Sequence, residues 1–128
     1  MTPLPKVLED WIRCRDWVLP ALEYAGGTHK EEDVLGAILG NRAQFWPGKM
    51  SAIVTEIETY PRMKVINFWL VGGDLKEVRE MQTPILKWAR RAGCTRATAC
   101  GRKGWERVLG EWKPQATVLG RDISGIEP

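Results

Sequence analysis

Residues 65–71 (Val-Ile-Asn-Phe-Trp-Leu-Val) are apolar at every position except Asn67, and Gly72-Gly73-Asp74 follows at once. A short, β-branched and aromatic run bounded by glycines reads as a strand, and near-continuous apolar character means that both of its faces are covered. Beyond it Leu75, Val78, Met81, Ile85, Trp88 and Ala92 recur every three or four residues, which predicts a helix over 74–92. Asp74 suits its N-cap, and Glu77, three residues on, makes the box pattern. Lys87, Arg90 and Arg91 suit the negative end of the helix dipole, and Gly93 suits a left-handed cap. Pro84 interrupts the pattern: either the helix kinks there, or Thr83 caps a second helix with Pro84 at its first position. Residues 95–100 then read as a short strand. Strand, helix and strand in this order form a crossover unit, so the chain folds as helices packed on a sheet that is at least partly parallel.

The rest of the chain fits around that unit. Apolar spacing predicts a helix over 7–17, with Pro20 ending it or opening a further turn, and Gly26-Gly27 breaks the chain. Thr28 and Glu31 form a capping-box pattern ahead of a stripe of Val34, Leu35, Ile38 and Leu39, which Gly40-Asn41 ends. Residues 43–46 read as a short strand closed by Pro47-Gly48. Residues 50–59 alternate, with Ile53, Thr55 and Ile57 against Val54, Glu56 and Glu58, and Tyr60-Pro61-Arg62 is the turn after them. After Gly101 a short helix is expected over 102–109, with Trp105, Val108 and Leu109 inward, and a last strand over 115–123. From residue 43 the expected order is β-β-β-α-β-α-β, an α/β fold on a mixed sheet, preceded by an N-terminal helical segment over 1–42. With 128 residues the chain is expected to form a single domain.

Composition excludes several classes of function. No stretch reaches the ~18 apolar residues of a membrane span, and the first ten residues lack the apolar run of a signal peptide. Three widely spaced cysteines (Cys14, Cys94 and Cys100) and one histidine, His29, make neither a disulfide framework nor a zinc site, so no metal is expected and a reducing, intracellular setting is. Lys87, Arg90, Arg91, Arg96, Arg102 and Lys103 are the one dense basic cluster. They are read as a solvated helix end rather than a nucleic-acid surface, because the net charge is only +3 and the other basic residues are scattered.

The order of elements over 43–123 is similar to the GNAT acyltransferase fold. The chain also resembles a family of small proteins of tailed bacteriophages and prophages, some of them labelled acetyltransferase-like. The segments that carry the resemblance are Gln44-Phe-Trp-Pro-Gly48, Ser51-Ala-Ile-Val-Thr-Glu-Ile57, Tyr60-Pro-Arg-Met-Lys64, Trp69-Leu-Val-Gly-Gly-Asp-Leu75, Trp88-Ala-Arg-Arg-Ala-Gly-Cys94 and Gly101-Arg-Lys-Gly-Trp-Glu-Arg-Val-Leu109. The resemblance implies a virion component or an accessory factor that binds a phage structural or host protein, in the host cytoplasm or the virion. The alternative it implies is an N-acetyltransferase using acetyl-CoA.

In GNAT enzymes the loop after the central strand binds the coenzyme A pyrophosphate through backbone amides at a helix N-terminus. The matching positions are Gly72 and Gly73, but no Arg or Gln precedes them at the family's spacing, and Asp74 places a carboxylate where phosphates would lie. The pair is therefore read as a tight strand-to-helix turn, with no cofactor expected. Such enzymes also use a strand carboxylate as general base and a later tyrosine as general acid. Glu56 and Glu58 share one strand face and fit the base, and they fit the polar face of a half-buried sheet equally well. No tyrosine follows Tyr60, so the acid is missing. Cys100 reads as a small core thiol, and His29 as an exposed residue at a helix start. Tyr60 and Arg62 fit a contact site or a plain hairpin turn, and Trp46 and Trp112, each beside a proline-containing loop, fit an interface.

Overall fold

The computed structural model describes residues 4–100 and 110–128. Among these, seven elements follow in order: α1 (Lys6–Tyr24), α2 (Glu31–Leu39), β1 (Gln44–Pro47), β2 (Ser51–Thr59), β3 (Lys64–Gly73), α3 (Leu75–Arg91) and β4 (Cys94–Ala99). The strands form one sheet in the order β1-β2-β3-β4. β1–β2 and β2–β3 are antiparallel, and β3–β4 is parallel across the α3 crossover.

β3 is an interior strand, and its apolar run is explained by two cores. Ile66 and Phe68 join Ile53, Val78, Ile85, Ala89 and Cys94 beneath α3. Leu70 joins Ala52 and Val54 beneath α1 and α2, where Trp11, Cys14, Val18, Val34 and Ile38 meet them. A bulge separates the two halves of the strand: Val54 pairs with Leu70 and Thr55 with Phe68, so Trp69 has no partner in β2. The extra residue turns Trp69 and Leu70 toward the same core. Trp69 is half-buried there and takes the His29 ring edge-on at 4.7 Å. Trp88 is half-buried on the other face, against Trp46 at 5.4 Å.

Several local expectations are corrected. α1 runs unbroken through Pro20, and α3 runs unbroken through Pro84. In each case packing of the apolar stripe outweighs the one backbone hydrogen bond that a proline removes. α2 starts two residues later than the Thr28 box implies. Its N-cap is Lys30, whose amide donates to Asp33 Oδ2 at 2.8 Å. Glu31 is drawn elsewhere, to Arg15 and Trp11 of α1. Residues 115–123 form no strand; they are irregular and exposed. The helix expected over 102–109 lies outside the described residues. The strand expected over 95–100 is β4, one residue earlier, with Cys100 beyond its end and exposed rather than in the core.

Candidate functional site

Two places carry the residues singled out from the sequence: the turn from β3 into α3, and the hairpin end of β2 and β3. At the first, the turn is built by close packing. A Cβ on Gly72 would lie 1.8 Å from the Trp17 carbonyl oxygen of α1. Gly73 has φ +106, and a Cβ there would lie 2.4 Å from the Met50 carbonyl oxygen. Only glycine allows both the approach of α1 and the left-handed backbone. The Asp74 amide donates to the Met50 carbonyl at 2.9 Å, so the β1–β2 loop sits against the turn.

The N-terminus of α3 is filled by groups of the chain itself. Asp74 caps it, accepting from the Glu77 amide at 3.1 Å. Glu77 does not close the expected box. Its carboxylate accepts from the Met50 amide at 2.9 Å and from the Ser51 hydroxyl. The Ser51 hydroxyl bond, then the Met50 amide, hold its carboxyl below the usual carboxylate range. A Cβ on Gly48 would lie 2.2 Å from Glu77 Oε1, so the loop is shaped to receive this side chain. From the opposite face Arg13 of α1 donates to the Gly48 and Lys49 carbonyls at 2.8 and 3.2 Å. Arg13 drew no notice in the sequence, and Ser51 only as part of a longer segment, since neither belongs to a local motif.

The hairpin end is different in kind. Beyond the reach of α1 and α2 the sheet face opens into a groove of about 420 Å³ lined by Glu58, Tyr60, Arg62, Val65, Arg96 and Thr98, among others. Val65 is its apolar floor, only 4% exposed. Glu56 and Glu58 share this face, as expected. The Tyr60 hydroxyl donates to Glu58 Oε2. That bond and the charge of Glu58 raise the phenol above its ordinary value of 10, so Tyr60 stays a neutral donor at neutral pH. Beside it a polar line crosses three strands: Thr98 Oγ1 donates to Asn67 Oδ1 and Asn67 Nδ2 donates to Glu56 Oε1, each at 3.1 Å. Asn67 was the signal for this line, the one polar residue in the apolar run of β3. The groove thus brings together Glu58, Tyr60 and Arg62 and adds Arg96 and Thr98, while Glu56 is tied to Thr98 through Asn67.

Trp46 and Trp112 do not join them. Trp46 is half-buried under α3 and donates to the Thr55 hydroxyl at 2.9 Å. Trp112 packs edge-on to Phe68 at 5.3 Å and donates to Gln82 Oε1 at 2.8 Å. Both indoles pack within the fold and remain half-buried. Among the described residues no three His, Cys, Asp or Glu side chains gather as metal ligands, and no helix is long and apolar enough to cross a membrane. Burial raises the thiols of Cys14 and Cys94 above their usual value, away from nucleophilic use.

No family model, no curated protein and no solved structure matches this chain.

Proposed function

We propose that the chain is a phage or prophage protein on a GNAT-like scaffold that binds another protein and transfers no acetyl group. The order of elements supports the scaffold: antiparallel β1, β2 and β3, then α3, then parallel β4. The observation that carries the reading is the occupied N-terminus of α3. Asp74 and Glu77 put two carboxylates where a coenzyme A pyrophosphate would need bare amides, and Trp17 and Met50 close the approach to Gly72 and Gly73. The groove at the hairpin end is the contact surface in this reading. Its exposed Tyr60 ring and the Arg62 and Arg96 guanidiniums are the side chains that protein interfaces favour. The partner is a phage structural or host protein, met in the host cytoplasm or the virion.

Calorimetric titration with acetyl-CoA tests the reading. No binding is expected at concentrations up to about 1 mM, and micromolar binding overturns it. One observation favours the alternative, an acetyl-CoA-dependent N-acetyltransferase: Glu58 lies in an open groove, hydrogen-bonded to the Tyr60 hydroxyl, with Glu56 on the same face. That reading requires acetylation of a simple amine by the wild-type chain, lost in Glu58→Gln.

A further inference from the structure

The two edges of the sheet are protected unequally. β1 is four residues long and ends in Pro47, a short edge that resists further pairing. β4 is six residues, Cys-Thr-Arg-Ala-Thr-Ala, with no proline, and among the described residues β3 is its only strand neighbour. Meanwhile residues 115–123 (Gln-Ala-Thr-Val-Leu-Gly-Arg-Asp-Ile) have the composition of a strand and pair with no strand among the described residues. Val118 is 80% exposed, Leu119 90% and Ile123 64%. An apolar, β-prone segment and an unpaired edge on the same chain are complementary surfaces.

We propose that residues 115–123 of a second copy of this chain add to the outer edge of β4 as a fifth strand, and that the exchange is reciprocal, giving a two-fold dimer. The lengths fit: at about 3.3 Å per residue, nine residues span ~30 Å and the six of β4 span ~20 Å. Trp112 is anchored under β3 by Phe68 and Gln82, so the departure point of the segment is fixed. The residue before a proline favours extended backbone and the proline ring fixes φ, so Lys113-Pro114 favours an extended departure from Trp112. No turn intervenes between Trp112 and Ile123. Reciprocal exchange of one segment satisfies both edges and leaves no open end for further addition.

Light scattering after size exclusion, at about 10 and about 100 µM, with amide hydrogen exchange on the same samples, decides the matter. The expected result is a dimer whose 115–123 amides gain protection as concentration rises. Leu119→Pro removes one ladder donor from a position that is exposed and irregular in the single copy. It is expected to give a monomer of unchanged melting temperature at low concentration, with at least ~10-fold less protection over the segment. A wild-type monomer at 100 µM overturns the proposal. So does protection of 115–123 that is independent of concentration, which would mean closure on the same chain. A dimer that survives Leu119→Pro unaltered also overturns it. None of these outcomes depends on whether acetyl-CoA binds.

Discussion

Glu31 fastens α2 to α1. Arg15 donates to its two oxygens at 2.8 and 2.5 Å, and Trp11 Nε1 donates to it at 2.9 Å. The Arg15 hydrogen bond, then that of Trp11, hold the carboxyl at about 2 against an ordinary 4.5, with partial burial opposing. At ~1.36 kcal/mol per pH unit the upper bound of this coupling is about 3.4 kcal/mol. The Glu31 side chain is 28% exposed and that of Arg15 41%, so solvent screening lowers the expected contribution to roughly 1–2 kcal/mol. Glu31→Gln is the informative change, because the amide oxygen still accepts from Trp11 while the charge is gone. The folded carboxyl is depressed, so its stabilisation is fully present above the unfolded value near 4.5 and is lost as pH falls toward about 2. Urea denaturation followed by tryptophan fluorescence should show the variant less stable by roughly 1–2 kcal/mol at pH 7, and by less than half of that at about pH 3. An equal gap at both pH values would refute the electrostatic account, and no gap at pH 7 would refute the fastening itself.

Three further outcomes follow from packing and capping. Gly72→Ala should cost roughly 3 kcal/mol or more in urea denaturation, since its Cβ meets the backbone of α1 at Trp17 and not a movable side chain. Asp74→Ala should lose about 1 kcal/mol and Asp74→Asn most of nothing, because Asn still accepts from the Glu77 amide; thermal melts of the pair check this. Trp88→Ala should cost roughly 2–3 kcal/mol, below the range for a fully buried tryptophan because Trp88 is only half-buried, and a melting temperature unchanged within a degree would show that its contact with Trp46 carries no weight.

The elements that sequence revealed are those whose pattern repeats locally. The stripe Leu75, Val78, Met81, Ile85 and Trp88 specifies α3, and the unbroken apolar run of β3 specifies an interior strand. Asp74 as N-cap was legible because its chemistry is local, whereas the glycine pair, read as a turn, is the paired end of β3, opposite Ala52 and Ser51. What stayed hidden depends on partners far along the chain. Glu31 and Glu77 each sit in a capping-box pattern, yet each turns to a partner about 16 or 26 residues away, Arg15 and Ser51. A carboxylate chooses its donor in three dimensions, and the local amide loses when a guanidinium or a cluster of donors is nearer. The hydrogen bonds of Trp46 and Trp112 were hidden for a related reason: a neighbouring proline suggests a loop, but each indole N–H finds its acceptor far along the chain or on another strand. Of the groove, Glu58, Tyr60 and Arg62 were within reach, being close in sequence on one hairpin. Arg96 and Thr98 enter only through the parallel pairing of β4 with β3, which no local pattern encodes.

The loop of Gly48, Lys49 and Met50 is gripped by Arg13 from one side of the sheet and by Glu77 from the other. Helices on opposite faces of a sheet ordinarily sense each other only through the strands between them. Here one short loop is a rivet through both layers. Breathing of the first turn of α3 releases the loop that Arg13 holds, and fraying of α1 at Arg13 releases the loop that Glu77 holds. Amide exchange in the first turn of α3 and around Arg13 of α1 is therefore expected to be linked, this end of the molecule opening as one cooperative unit rather than layer by layer.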